Sequence, residues 1–461
     1  MKFVGLDIGT TTICGVVLDP DEQSIVCSIV KKNSAAIHTE NSWEQLQDPR
    51  IILEIAGEIL NRLCAKYPDI QGIGVTGQMH GIVYVDKSGT AVSPLYTWQD
   101  GRGNMPYKDG KTYAEYLIAQ TGYPLATGFG LVTHFYQSVH RLVPKGACAL
   151  CTIQDYLVMR LINLDRPCCD PSNAASLGFF NLRNLEFDKE ALAAVGIDAT
   201  ILPTVITSLK ALGKTKDNIP VFPALGDNQA SFIGAVRDLD ISFLVNVGTS
   251  SQISVYTHQF AMIPGIELRP FPGGGYLLVG APLCGGKSYA MLEAFFRGIL
   301  KFFTKIDYES LYETMNKIDL DSLVSNDLLK ISTKFSGTRS DATVRGSISN
   351  ISLTNFSPEY LVAGFLEGVA AELHEFYGSL PVTVRNKFQL MAGSGNGIRK
   401  NKLLRAMFTK VFQMRMEVPL YDEEASLGAA LLASTGYGRF QTIQAAMKII
   451  HYQEQETRLK R

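Results

Sequence analysis

The chain of 461 residues carries almost no net charge, with 43 Lys and Arg against 44 Asp and Glu leaving a formal −1. It therefore lacks the basic footprint by which a protein holds nucleic acid or an anionic membrane surface. Charged residues make up only 19% of the sequence against 46% hydrophobic, a balance that excludes a disordered chain and suits a packed core. Long apolar runs are missing too: even the stretch 361–369 contains Glu367, so no membrane span is expected. The opening residues place Asp7 inside the first apolar run, where the core of a secretory signal does not tolerate an acid. Paired cysteines are absent. Cys148 and Cys151 have C-x-x-C spacing but no second pair at zinc distance, and Cys168 and Cys169 are simply adjacent, so the eight cysteines read as buried thiols. These absences lead to the expectation of a reduced, cytoplasmic protein.

What is present is a repeated object. Phe3-Val4-Gly5-Leu6-Asp7-Ile8-Gly9-Thr10-Thr11-Thr12 and Phe243-Leu244-Val245-Asn246-Val247-Gly248-Thr249-Ser250 are each an apolar strand entering a Gly-Thr turn, followed by a second strand. Such a turn offers backbone N–H groups and hydroxyls suited to phosphate oxygens. Its duplication suggests two related domains facing each other across a nucleotide. A chain of this length exceeds one ordinary core, and two domains of roughly 200 residues are expected, 1–236 and 237–461. Strands alternate with helices, which predicts α/β layers. Helices are expected over 49–67, 305–329, 358–377 and 401–411 and from 424 onward, strands over 70–76, 82–85 and 388–391, and a frayed tail over 453–461.

Several segments could carry chemistry. Asp7 either caps its turn or sits beside a phosphate, and in the second case a cation such as Mg²⁺ must intervene to relieve the repulsion. Asp227 follows a strand and opens a helix. It is either a simple helix cap or an ionised carboxylate that orients and deprotonates an attacking hydroxyl in phosphoryl transfer. Gln78 and His80 stand in a polar stretch, Gly77-Gln78-Met79-His80-Gly81, between apolar strands. About 20 residues later Trp98, Gln99, Asp100 and Arg102 combine a flat ring with amide, carboxylate and guanidinium, a set suited to a sugar, or else to a core Trp with an ion pair. Gly393-Ser394-Gly395-Asn396-Gly397 is a glycine-rich strand-to-helix turn on which a purine could pack. Gly280 to Ser288 imitates a phosphate loop, but Ala281 occupies the position of its first required glycine, so that reading fails.

Taken together and in order, Asp7-Ile8-Gly9-Thr10-Thr11, Gly77-Gln78-Met79-His80-Gly81, Gly226-Asp227-Asn228-Gln229, Gly248-Thr249-Ser250 and Gly393-Ser394-Gly395 resemble the FGGY carbohydrate kinases over nearly the whole chain. The resemblance implies an α/β fold of two ribonuclease-H-like domains, of the actin/hexokinase/Hsp70 type, flanking a central cleft. It implies ATP and Mg²⁺ as cofactors and a small-molecule ketose as partner, and leaves a homodimer open. Asp227 would match the catalytic base and Asp7 the acid near Mg²⁺. Gly9, Thr10, Thr11, Thr12, Gly248, Thr249 and Ser250 would hold phosphates. Gly393, Ser394, Gly395 and Asn396 would meet the nucleotide, with Asn396 replacing the small residue often found there. Gln78, Met79, His80, Trp98 and Asp100, with Asp227, would line the sugar site. The expected reaction is phosphorylation of the terminal primary hydroxyl of a ketose, foremost sedoheptulose at C7. Segments such as Thr97 to Arg102 and Asn173 to Ser176 favour it over D-xylulose or another ketopentose. A non-catalytic ATP clamp of the actin or Hsp70 kind would need the two turns without a polar sugar site.

Overall fold

The computed structural model describes residues 1–454 except 325, 326, 339, 340 and 342. Most of the tail expected to fray, from 455 onward, lies outside them. In chain order the elements that position the site are β1 (Lys2–Ile8), β2 (Thr12–Asp19), β3 (Ser24–Lys32), α1 (Pro49–Lys66), β4 (Ile70–Gly77), β5 (Leu225–Gly226), α2 (Asp227–Ala235), β6 (Ser242–Val247), β7 (Ser251–Thr257), α3 (Gly286–Thr304), α4 (Pro358–Gly378), β8 (Leu390–Ser394), α5 (Lys402–Phe412), β9 (Arg415–Glu417) and α6 (Glu424–Tyr437).

Two compact units divide the chain. The first comprises Met1–Arg237, Arg269–Tyr276 and Glu423–Ile450; the second comprises Asp238–Leu268, Leu277–Asp422 and His451–Arg461. A single cut at residue 236 thus omits two later segments that return to the first unit.

In the first unit β1 is the centre of the sheet. It pairs antiparallel with β2 and parallel with β4, and β3 extends the antiparallel side. The central strands are apolar on both faces, as a sheet covered on both sides requires. On one side α1 starts at Asp48, whose side chain accepts from Arg50 N, with Pro49 at the first helical position. It buries Ile52, Ala56, Ile59, Leu60 and Leu63 at helical spacing. The other cover is α6. Residues 426–435 of this helix are buried all round, as its sequence Ser426-Leu427-Gly428-Ala429-Ala430-Leu431 requires.

Glycines set how closely α6 lies. A Cβ on Gly5 would sit 1.8 Å from the Ser426 carbonyl oxygen, and one on Gly74 would sit 1.9 Å from that of Ala429. Likewise Gly234 of α2 meets Glu424 O, and Gly428 of α6 meets Ala230 O, each at 1.9 Å. Backbone therefore touches backbone along α6, β1, β4 and α2, and this contact fixes the helix that begins with Asp227.

The second unit repeats the plan. There β6 pairs antiparallel with β7 and parallel with β8, and β8 pairs parallel with β9. The expected strand over 388–391 begins at Leu390 and runs on to Ser394. The helix expected over 305–329 is not there: among the described residues that stretch holds only the short helix Tyr312–Met315 and a turn at Leu320–Ser322. The long helix lies earlier, as α3, and ends where Lys305 takes a left-handed conformation (φ 61°). No helix among the described residues is long and apolar enough to cross a membrane.

Candidate active site

Strand register brings the two predicted carboxylates to one edge. In the first unit Asp7 pairs with Thr76 and Ile8 with Gly77, while Leu225 pairs with Thr76 and Gly226 with Gly77. Three parallel strands thus end side by side. Asp7 lies at the end of β1, and Asp227 follows β5 two strands away, about 10 Å between backbones at the usual strand spacing. The carboxyl edge of such a sheet is where open α/β folds bind ligands.

Both acids are half-buried. Oδ1 of Asp7 is enclosed and has no hydrogen-bond partner among the described residues. Burial, reinforced by the charge of Asp227, pushes the Asp7 carboxyl up to about 7. Burial raises Asp227 to about 6, against the pull of the Arg269 guanidinium and the Asn228 N–H. The sign for stability follows. Each acid favours folding while protonated, fully so below its ordinary 3.8, and that contribution is lost as pH rises through about 6 and about 7. A cation at Asp7 would reverse that loss. The enclosed, unpartnered oxygen beside a second carboxylate fits a hard divalent ion that takes one or two carboxylates and fills its other positions with phosphate and water.

The strand leading to Asp227 is anchored by side chains. Thr76 Oγ1 donates to Leu225 O (3.0 Å), Gly226 N donates to Ser172 Oγ (3.1 Å), and Asn173 Nδ2 donates to Ala224 O (3.0 Å). Asn173 also reaches buried Asp155, which Thr152 binds in turn. Burial raises Asp155 to about 8. Thr76 heads the polar stretch that runs to Gly81, whereas Ser172 lies outside every motif read from the sequence. The sequence signal was there in Asp170-Pro171-Ser172, a helix start in which Asp170 accepts from Ser172 N.

The first Gly-Thr turn is braced through its carbonyls. Asn33 Nδ2 donates to Gly9 O, Gln47 Nε2 to Thr10 O (both 2.9 Å), and Asn33 N to Thr11 O (2.8 Å). Thr11 and Thr12 are exposed and open to a ligand. Thr10 is different, because its hydroxyl accepts from Trp98 Nε1 (3.0 Å) and donates to Gln78 Oε1 (3.4 Å). Gln78 Nε2 in turn donates to Gln47 Oε1 (2.9 Å). Gln78 is therefore a buried brace that ties the turn to the acceptor side.

Of the other acceptor residues, Met79 packs its sulfur against Gly226, where a Cβ would lie 2.8 Å away. His80 adopts φ 74°, stacks on Phe129 at 4.5 Å between ring centres, and places Nδ1 2.8 Å from Ser176 O. Trp98 is 46% exposed, so it is a surface ring and not a core one. Asp100 corrects the expectation of a sugar ligand. Its carboxylate is fully buried and accepts from Arg102 N, the Arg102 guanidinium and Gln45 N. Arg102 also binds Glu44 and lies 4.6 Å from the Tyr96 ring centre. The pair stiffens the loop behind Trp98 and leaves neither oxygen of Asp100 without a partner.

In the second unit the register is the same, with Asn246 where Asp7 stands in the first: Asn246 pairs with Ser394, and its Nδ2 donates to Ser394 Oγ (2.8 Å). The glycine-rich turn is thereby the counterpart of Thr76-Gly77. Gly393 and Ser394 lie buried in β8, and Gly393 makes room for Met416 and Ile398, so neither presents a surface to a nucleotide. Gly395, at φ 82° over Val247 O, is half-buried, and Asn396 is exposed. The second Gly-Thr turn closes through Gly248 N to Ser250 O (2.9 Å), and α3 starts directly on it. Lys287 N donates to Thr249 O (2.9 Å), and a Cβ on Gly286 would meet Gly248 O at 2.1 Å. The segment that imitates a phosphate loop is thus a helix start packed on the second turn.

Family models for the N-terminal and C-terminal domains of the FGGY family of carbohydrate kinases match residues 2–238 and 244–437. The chain is 28% identical to sedoheptulokinase of Homo sapiens, covering 93% of this chain and 96% of that one, and 25% identical to xylulose kinase of Lactococcus lactis, covering 98% and 92%. In structure it is similar to gluconate kinase of Lactobacillus acidophilus, with a TM-score of 0.84 at 21% identity over 98% of this chain and 92% of the other. That likeness fixes the two-domain actin/hexokinase-like architecture. The matched domains, the duplicated strand-turn units and the paired carboxylates of the first unit make this chain a sugar kinase of the FGGY family.

Proposed function

We propose that the protein transfers the γ-phosphoryl group of ATP to the terminal primary hydroxyl of a ketose, with sedoheptulose, phosphorylated at C7, as the physiological acceptor. The observation that carries the chemistry is the convergence of Asp7 and Asp227 at one sheet edge with different surroundings: burial raises both, but Asp227 opens α2 with Arg269 opposing the rise, whereas Asp7 has an enclosed oxygen without a partner among the described residues and feels the charge of Asp227 as well. Asp227 accepts the proton of the attacking hydroxyl while the new O–P bond forms and the bond to the ADP leaving oxygen breaks. Asp7 would hold Mg²⁺, directly or through water, and the ion when bound would neutralise phosphate charge. Within the first unit Thr11 and Thr12 are assigned to phosphate oxygens; within the second, Gly248 to Ser250, Gly395 and Asn396 are assigned to a nucleotide. Trp98, His80 and Met79 are assigned to the sugar, with Gln78 and Asp100 supporting them from behind.

The seven-carbon acceptor is supported by the 28% identity to human sedoheptulokinase over nearly the full length of both chains. The ketopentose reading is favoured by the xylulose kinases at 25% identity. Two hydroxymethine units separate the two acceptors, changing the length of the sugar and not the chemistry. An ADP-release assay across sedoheptulose, xylulose, ribulose, fructose and glycerol decides between them. The highest kcat/KM is expected for sedoheptulose, and a preference for a pentulose would overturn the acceptor while leaving Asp227 as the base.

A further inference from the structure

Trp98 is assigned to the sugar, yet its indole N–H grips the phosphate turn. The ring is 46% exposed, and Nε1 donates to Thr10 Oγ1 (3.0 Å). From there the bonds run inward and return. Thr10 Oγ1 donates to Gln78 Oε1 (3.4 Å), Gln78 Nε2 to Gln47 Oε1 (2.9 Å), and Gln47 Nε2 to the carbonyl of Thr10 (2.9 Å). The circuit closes on the residue where it began, and both glutamines are buried. The short strand Leu46–Gln47 pairs with Leu95–Tyr96, so Gln47 and Trp98 reach Thr10 from one small sheet. The backbone of Trp98 is fixed as well. Thr97 N and Oγ1 both donate to Gln45 O, and a Cβ on Gly128 would lie 1.9 Å from Trp98 O. What can adjust is the indole.

The two ends set the direction of every bond between them. An indole N–H only donates, and a backbone carbonyl only accepts. Gln47 must therefore give its amide N–H to Thr10 O and present Oε1 to Gln78, and Gln78 must present Oε1 to Thr10. The Thr10 hydroxyl has one proton, which goes to Gln78, and none is left for a phosphate oxygen. The carbonyls of Gly9, Thr10 and Thr11 are taken by Asn33 and Gln47. In a trans peptide the following N–H points the opposite way. The N–H groups of Thr10, Thr11 and Thr12 thus point away from these braces, and their aim depends on how firmly Thr10 is held.

We propose, given the assignment of Trp98 to the sugar and of Thr11 and Thr12 to phosphate, that Thr10 is a positioning residue that couples the two substrates, with Trp98 as its handle. A half-exposed hydrogen bond is worth little, because water competes for both partners. A sugar packed on the indole excludes that water and holds the ring, so the bond strengthens and the turn stiffens with it. A phosphate group then meets N–H groups already aimed. Linkage makes the effect mutual: phosphate on the turn tightens the sugar by the same factor. One hydrogen bond sets the size of this coupling at about 2- to 12-fold.

The test is calorimetric titration of the full-length protein with a non-hydrolysable ATP analogue and Mg²⁺, with and without a saturating ketose, sedoheptulose or xylulose. The sugar is expected to tighten analogue binding in the wild type. Trp98→Phe keeps a flat ring and loses the N–H; Thr10→Val keeps the shape and loses the hydroxyl. In each, the tightening factor should be about 2- to 12-fold smaller. The double variant should lose no more than either single one, as two ends of one bond require. Thr10→Ser should restore the wild-type factor. A side chain that only supports the fold would weaken both titrations alike and leave the factor unchanged. A wild-type factor in Trp98→Phe, a change at an exposed ring, overturns the coupling and leaves the kinase reading standing. So does a wild type that holds the analogue equally well with and without bound sugar. A wild type that binds neither ketose strikes down the acceptor assignment, and the coupling with it.

Discussion

Asp227→Asn is expected to lower kcat by about 10²-fold or more, roughly 2.7 kcal/mol of transition-state stabilisation, while ATP binding and the sugar KM change far less. The asparagine keeps the shape of the side chain at the start of α2 and loses only the ability to take a proton. The wild type supplies a second readout. Burial raises Asp227 to about 6 in the free protein, so the base is ionised above that value, and kcat/KM falls as pH drops through about 6. The variant should lose that acidic limb along with its turnover. Near wild-type turnover in Asp227→Asn, or an unshifted acidic limb in it, would contradict the assignment of the base.

The second large effect is on stability. Gly428→Val places two methyls where the Ala230 carbonyl oxygen lies 1.9 Å from even a bare Cβ. Backbone cannot move aside as a side-chain tip can, so α6 and α2 must separate. Overpacking of this kind costs about 3 kcal/mol or more, a fall in Tm of roughly 6–12 °C for a unit of this size. Because α2 begins with Asp227, activity should fall faster than the folded fraction. Gly57→Ala in α1 is the contrast. A Cβ there meets nothing within 4 Å, and the change should be neutral or stabilising by about 0.5–1 kcal/mol. Thermal melts of both variants check the account. Equal, small shifts would mean that the close backbone approach does not hold the first unit together.

The sheet edge was legible in the sequence because its signals are local. Apolar runs ending in Asp7-Ile8-Gly9-Thr10 and Val245-Asn246-Val247-Gly248 state a strand and its turn without help from distant residues. The structure adds that the partners of Asp7 and Asn246, Thr76 and Ser394, are counterparts as well, which only register reveals. Long-range burial was not legible. Trp98-Gln99-Asp100-Gly101-Arg102 shows a polar cluster but not that its tryptophan faces out and its carboxylate faces in, since Gln45 and Glu44 lie some 55 positions earlier. Helix α3 was missed for a related reason. Gly285-Gly286 at its start and Gly298 within it read as loop signals. The return of α6 to the first unit follows from glycines spread over Gly5, Gly74, Gly234 and Gly428, a pattern with no sequence period at all.

The most direct measurement of the central claim is the product itself. Purified protein is incubated with ATP, Mg²⁺ and sedoheptulose, and phosphorus NMR is read alongside ADP release. Sedoheptulose 7-phosphate should form, one molecule for each ADP. ADP accompanied by inorganic phosphate and no sugar phosphate, or phosphate on any other carbon of the sugar, would contradict it.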